Sequence, residues 1–354
     1  MVLETKLFDE RKSDGSRPFW TRARLPSLLD EVESAVPKAY DDCCPFHPSY
    51  RNLTMKSLLT ICFAIAFAAC SLTIPAQGQI LSLSRDEMIE LTKLNPYERF
   101  PDGRPKVPDA LLERVAKLSI EEAWGVLRGE GYMRQFAGDF QILHPGQTLV
   151  GRAVTAQYLP LRPDLKEFVD ADAKAKGMSS RPTQKVIDIL QTGDVPVVDV
   201  MGAAPGHNFG GDNLAAAIYG ATGKGAVVDG TIRDLQGTYD LPTQIYFRKP
   251  PPSAVAGVVV AGINIPIHIG HAAVLPGDVV LGDRTGVIFI PPHMVQKVLD
   301  RADLIHIKDE WTKNKFLTGK HKASDLYGGP LSPALQKEYD AYKKRRLAEI
   351  GKAQ

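Results

Sequence analysis

GGDNLAAAIYGATGKGAVVDGTIRD, residues 210–234, decides the fold. It opens on two glycines and runs into an apolar stretch at helical spacing. It turns at Gly223–Gly225, continues as the Val-rich run Ala226–Val228 and ends on an Arg-Asp pair. Paired glycines permit a tight turn, and Asp212 is expected to cap a helix that starts at Asn213. A glycine turn opening a helix leaves backbone N–H groups unpaired at the positive end of the helix dipole, which suits a carboxylate. The buried strand that follows carries Arg233 and Asp234 to the same end of the sheet. The segment therefore predicts an anion cradle, a guanidinium able to grip a carboxylate with two parallel hydrogen bonds, and two carboxylates for a hard cation.

Outward from this segment the pattern repeats. Strand-like runs at 147–158, 195–200, 254–261, 279–281 and 287–290 alternate with helical stretches at 165–176 and 183–191, which argues an α/β sandwich. Upstream, apolar residues at helical spacing predict helices over 84–94 and 108–127, joined by a polar connection at 95–106. Beyond Pro292 helices are expected at 293–313 and 333–350. The organisation read from this is a helical flank (79–130), a core (131–300) and a C-terminal helical extension (301–354).

Composition narrows the chemistry. A 44% hydrophobic and 24% charged chain of 354 residues is that of a soluble globular protein. Its net charge of +2 argues against nucleic acid or an anionic membrane as partner. All four cysteines (Cys43, Cys44, Cys62, Cys70) lie in the first 70 residues. Disulfides, thiolate metal sites and a cysteine nucleophile are thereby excluded from the main body, so a metal there needs oxygen or imidazole ligands; carboxylates and water suit Mg²⁺ or Mn²⁺. Met55-Lys56-Ser57, the apolar run Leu58–Ile74 and Ala76-Gln77-Gly78 read as a secretory signal peptide, with a membrane anchor as the alternative. Translation is then expected to begin at Met55, residues 1–54 being an upstream mis-start, and the mature protein to be exported; otherwise it is cytoplasmic. Cys70 could alternatively close a lipoprotein cleavage box.

The order of motifs is similar to that of the RraA-like family, which includes the 4-hydroxy-4-methyl-2-oxoglutarate aldolases. A G-D-x-L turn at Gly211–Leu214 is followed, across residues 212–232, by Arg233-Asp234 after a strand that ends in x-G. Val150-Gly151-Arg152-Ala153-Val154-Thr155 agrees upstream. Downstream, Val274-Leu275-Pro276-Gly277-Asp278 and Gly282-Asp283-Arg284-Thr285-Gly286-Val287 agree, ending at Ile290-Pro291; the similarity runs over roughly residues 110–330. The resemblance implies a swivelling β/β/α fold assembled as a homotrimer or hexamer with sites between subunits. It implies cleavage of a 4-hydroxy-2-oxo acid to pyruvate, with oxaloacetate decarboxylation as a companion activity. It also implies a divalent cation (Mg²⁺ or Mn²⁺) held directly by Asp234 and through water by Asp212. Arg233 would bind the pyruvyl carboxylate or enolate, and the Gly211, Asp212, Asn213 and Leu214 amides the substrate. Members draw a further glutamate from a neighbouring subunit's C-terminal helix, for which Glu310, beside Asp309, is the candidate. Many also carry an acidic residue where Gly237 stands here.

Plainer readings stand beside these. Arg233-Asp234 alone reads as a local ion pair on a loop. Asp278, Asp283 and Asp229 sit at turns or strand ends, where an aspartate bonds its own backbone. His268 and His271, and less so His207, are candidates for lining the substrate pocket. Gly220–Gly225 imitates a phosphate loop without its spacing or its Ser/Thr, and Lys224 lies in a helix-to-strand turn. The competing function is a non-catalytic, protein-binding regulator of the ribonuclease E inhibitor type.

Overall fold

The computed structural model describes residues 82–352. The extension 1–54, the signal-like segment 55–78 and all four cysteines lie outside the described residues. In chain order the elements are α1 Arg85–Leu91, α2 Asp109–Val115, α3 Ile120–Gly129, β1 Phe136–Ala137, β2 Gln141–Ile142 and β3 Leu149–Pro160. Next come α4 Pro163–Ala175, α5 Pro182–Ile187, β4 Asp194–Asp199, β5 Asn208–Gly210, α6 Asp212–Thr222, β6 Ala226–Asp229, β7 Thr231–Ile232 and α7 Leu235–Tyr239. The chain continues through β8 Ile245–Phe247, β9 Val258–Ile263, β10 Ile267–Ile269, β11 Ala272–Val274, β12 Val279–Gly282 and β13 Val287–Ile290. After a 3₁₀ turn at Pro292–Met294 it closes with α8 Val295–Leu317, α9 Ala323–Leu326 and α10 Pro333–Lys352. Among the described residues no helix is long and apolar enough to cross a membrane.

Nine strands form a curled sheet in the order β1-β13-β12-β3-β4-β6-β8-β2, with β9 also on β3. Neighbours β3, β4, β6 and β8 run parallel, while β12, β13 and β1 add an antiparallel edge. The long strand β3 pairs with β12 over 149–152 and with β9 over 156–160, and its register on β9 shifts between Gln157 and Tyr158. A bulge of this kind sharpens local twist and bends the strand. The central strands are unbroken apolar runs because both faces are covered. Val198 and Val228 pack under α4, α5 and α6, while Val195, Val197 and Val227 pack under the β10–β11 hairpin. A third core joins α2, α3 and α8 to the β12–β13 edge through Leu112, Val126, Leu281, Ile288 and Val298. The α/β architecture expected from the pattern is thus the observed one.

Three details depart from expectation. The single helix expected over 108–127 is two, because Ser119 and Glu122 form a capping box that starts a new helix. The Ser119 Oγ accepts from the Glu122 amide (3.2 Å) and the Glu122 Oε2 from the Ser119 amide (2.9 Å). A Ser-x-x-Glu box satisfies two orphan donors at once, which here outweighs the continuous apolar spacing. The strand expected from Ala254 begins at Val258, after the Pro-rich turn. Asp229 does not bond its own turn: its Oδ1 accepts from Arg248 Nε (2.8 Å) and its Oδ2 from the Gly270 amide (2.8 Å). Burial pushes that carboxyl up, but Arg248 and the Gly270 N–H outweigh it and hold it below the usual range.

The helical flank is tied to the amino ends of the parallel strands. Arg104 forks onto Asp194 at the start of β4 with contacts of 2.7 and 3.0 Å, both side chains buried. Arg152 of β3 donates to the Val107 carbonyl (2.7 Å) and to Asp109. The carboxyl ends of the same strands are left to the loops that carry Arg233 and Asp234.

Asp278, in the turn before β12, is buried and accepts from the Leu275 amide (2.8 Å). Burial pushes its carboxyl up to about 7, against that hydrogen bond. The unfolded chain releases this proton near pH 4, whereas the folded chain keeps it until about pH 7. Stability should therefore fall as pH rises across that window and level off above it. Asp278→Asn, neutral throughout and still able to accept from Leu275, should flatten this part of the thermal-unfolding profile; an unchanged slope would contradict the assignment.

Candidate functional site

The site is built on a short parallel pairing of β5 with β7, continued by the Arg233 amide donating to the Gly210 carbonyl at 2.9 Å. That ladder sets the glycine turn against the Arg-Asp pair, as the segment 210–234 predicts. The cap differs. Gly211, extended at φ −122°, is the N-cap of α6, and Asp212 is its first helical residue. The Asp212 Oδ1 accepts from the Asn213 amide at 2.7 Å, a contact inside the first turn where the helix dipole favours a carboxylate. The Leu214 amide bonds the Gly211 carbonyl at 3.1 Å. Of the four amides from Gly211 to Leu214, those of Gly211 and Asp212 have no protein acceptor among the described residues. The cradle is therefore narrower than four amides.

Asp234 stands in the left-handed region at φ 55°, which aspartate visits at some cost in strain. Its carbonyl accepts both the Thr238 amide (2.9 Å) and the Thr238 hydroxyl (3.0 Å), so the opening of α7 holds the turn. The Arg233 Nε lies 3.4 Å from the Asp234 Oδ2, with the side chains 43% and 44% exposed. A half-exposed pair of this kind contributes little to folding, which leaves both groups free to serve another partner. A Cβ placed on Gly211 would lie 2.2 Å from the Asp234 Oδ2, so only glycine lets the carboxylate rest against the turn. Gly237 has a parallel role: a Cβ there would lie 2.5 Å from the Asp212 Oδ2. Asp212 thus occupies the space that a side chain at 237 would enter.

Gly211, Asp212, Asn213, Leu214, Arg233 and Asp234 all line one cavity of about 270 Å³. Its other walls come from residues that sequence reading missed, chiefly Arg181, Thr183, Gln184, Asn208, Ala254 and Val255. No local signal marks them: packing of α5 against α6 brings Arg181 near a turn far from it in sequence. His207, His268 and His271 are not among the lining residues. His207 Nδ1 is 3.2 Å from the Met201 carbonyl, and His268 Nε2 is 3.2 Å from the buried Asp199 Oδ2. Asp283 accepts from the Thr285 amide at 2.7 Å, as a turn aspartate should. Glu310 lies on α8, where its Oε2 accepts from Arg346 Nε at 3.1 Å. The Tyr342 hydrogen bond, opposed by burial and joined by Arg346, holds this carboxyl below its usual value.

Among the described residues no three His, Cys, Asp or Glu side chains converge on a point. The chain offers Asp234 and Asp212 at the cavity, an oxygen set suited to a hard cation that keeps several waters. A closed four-ligand zinc site would need more.

Comparison with known proteins bears on this geometry. The Aldolase/RraA model of the RraA-like family matches residues 109–289, which stops short of the span read from the motifs. A candidate 4-hydroxy-4-methyl-2-oxoglutarate aldolase of Halalkalibacterium halodurans is 33% identical over 118 residues, covering 33% of this chain and 56% of that protein. An uncharacterised protein of Methanocaldococcus jannaschii is 27% identical over 108 residues, covering 30% of this chain and 51% of its own. The chain thus spans about half the length of these curated relatives. The crystal structure of Streptomyces coelicolor RraAS2, described as an unusual member of the RNase ES inhibitor RraA protein family, aligns with a TM-score of 0.51. It is 24% identical, covering 59% of this chain and all of that one. At that identity the likeness is one of fold.

Gly211→Ala tests the contact at the turn. The added methyl meets the movable end of Asp234, so the fold should survive with a midpoint within about 3 °C of the parent, roughly 1 kcal/mol. If Asp234 holds a divalent cation, any thermal stabilisation by Mn²⁺ seen in the parent should be lost, because the carboxylate must swing away. Unchanged stabilisation by Mn²⁺ would show that Asp234 does not need its place against Gly211.

Proposed function

The chain belongs to the RraA-like family, and from that premise we propose that it is a divalent-cation-dependent lyase that cleaves a 4-hydroxy-2-oxo acid to pyruvate. The observation that carries this reading is the single cavity lined by Arg233, Asp234, Asp212 and the Gly211 turn. Retro-aldol cleavage removes the proton of the C4 hydroxyl and breaks the C3–C4 bond, leaving a pyruvate enolate that is then protonated at C3. Decarboxylation of oxaloacetate leaves the same enolate, so one site serves both reactions. A cation held by Asp234, with Asp212 reaching it through water, would act as the Lewis acid that stabilises this negative charge.

The chain's own groups have separate tasks. Arg233 grips the pyruvyl carboxylate and faces the charge that develops as the bond breaks. The Gly211 and Asp212 amides, at the positive end of α6, bind a further carbonyl or carboxylate oxygen. Asp212 would take the hydroxyl proton by way of water. Assembly as a homotrimer or hexamer belongs to the same proposal, and Glu310 can serve a neighbour only by giving up Arg346 and Tyr342.

Pyruvate release from a panel of 4-hydroxy-2-oxo acids and oxaloacetate, with and without Mg²⁺ or Mn²⁺, tests the reading. Cation-dependent release is expected. Arg233→Lys, which keeps the charge and loses the fork, should lower kcat/KM at least about tenfold, or roughly 1.4 kcal/mol of transition-state stabilisation. Absence of release from every acid in the panel would favour the non-catalytic regulator, and an Arg233→Lys variant as active as the parent would remove Arg233 from the site.

A further inference from the structure

The cavity contains a second guanidinium to which the reading above gives no task. Arg181 is among its lining residues, and among the described residues its side chain makes neither an ion pair nor a hydrogen bond with the protein, only its backbone amide being bonded. The other basic groups nearby are engaged. Arg233 lies 3.4 Å from Asp234, and the Lys185 Nζ, buried, lies 2.9 Å from Asp170.

The Arg181 side chain is exposed, but its backbone is held at the N-cap of α5. Pro182 fixes the first residue of α5, and Thr183, Lys185, Val186 and Ile187 of that helix are buried. The Arg181 amide donates to the Ser179 Oγ at 3.2 Å. A cation mounted on an anchored element loses less conformational freedom on meeting an anion than one on a loose loop.

Charge decides what it meets. The charged side chains that line the cavity are Arg181, Arg233, Asp212 and Asp234. Once Asp234 and Asp212 serve a divalent cation, both guanidinia are free for anions. One carboxylate of the substrate occupies Arg233. Arg181 is then open to a second anion, and a planar guanidinium matches a carboxylate with two parallel hydrogen bonds. Ala254 and Val255 give the same cavity an apolar stretch that suits the carbon chain between the two ends.

We propose that Arg181 is a specificity-determining residue that binds the remote carboxylate of a dicarboxylic 2-oxo acid in this cavity. The inference rests on the assignment of Arg233 to the 2-oxo acid head group.

The test is a comparison of two five-carbon acids that do not turn over by this chemistry. 2-Oxoglutarate and 2-oxopentanoate share the 2-oxo acid head and differ in a carboxylate or a methyl group at the far end. Titration calorimetry on the full chain with Mg²⁺ should show 2-oxoglutarate bound at least about tenfold more tightly, or roughly 1.4 kcal/mol. Arg181→Gln should bring the ratio to within about threefold, the loss falling on 2-oxoglutarate, and Arg181→Lys should restore it in part. Circular dichroism and the thermal midpoint identify a variant that has merely misfolded. A ratio near one in the parent, or a ratio preserved in Arg181→Gln, would overturn the proposal. Arg233→Gln separates the two layers of the argument: it should weaken both acids alike. If it weakens neither while Arg181→Gln still removes the preference, the head-group assignment is wrong and the remote-carboxylate contact stands alone. If the parent binds neither acid, both fall.

Discussion

The contact between Gly211 and Asp234 governs the rest of the site. A side chain at 211 would drive a carbon to within 2.2 Å of the Asp234 Oδ2, so the carboxylate occupies the space that glycine leaves open. The β5–β7 pairing and the bond from the Arg233 amide to the Gly210 carbonyl hold the two turns at that distance. A strained backbone at Asp234, fixed by the opening of α7, aims the carboxylate at the cavity. None of these features has much value for folding. A half-exposed ion pair and a left-handed aspartate are weak or costly on their own, which is the signature of groups kept for another partner.

The sheet separates stability from chemistry along its strands. A buried guanidinium–carboxylate pair, Arg104 with Asp194, secures the amino end of β4, and the buried Arg152 guanidinium, on the Val107 carbonyl and the exposed Asp109, secures that of β3. Breaking one side of such a buried pair leaves an uncompensated charge and costs about 3–5 kcal/mol. The carboxyl ends carry the loops, as ligand-binding α/β sheets generally do. Hydrophobic burial on both faces of β4 and β6 fixes the position of those loop roots to the precision that the proposed cation and substrate would require.

Much of this was legible in residues 210–234, because glycine turns, a helix and a buried strand each have a strong local cause. Gly211 to Leu214, Arg233 and Asp234 could be placed together from sequence, and the cavity does gather them. What could not be read depends on contacts between distant residues. Arg181 joins the site only because α5 packs on α6, and Asp229 finds Arg248 and Gly270 across three elements. The break between α2 and α3 was readable in principle, since Ser119 and Glu122 are spaced as a capping box; apolar periodicity masked it. The cap of α6 moved by one residue, from Asp212 to Gly211, and with it the count of free amides.

The central claim is that Asp234 holds a divalent cation at this cavity. Titration of Mn²⁺ into the parent and into Asp234→Ala, followed by electron paramagnetic resonance of the free ion, measures that directly. The account predicts one site per chain in the parent and loss of at least about tenfold in affinity in the variant, with the thermal midpoint measured without cation nearly unchanged. Mn²⁺ bound equally by a folded Asp234→Ala protein would contradict it, and would place the cation elsewhere in the molecule.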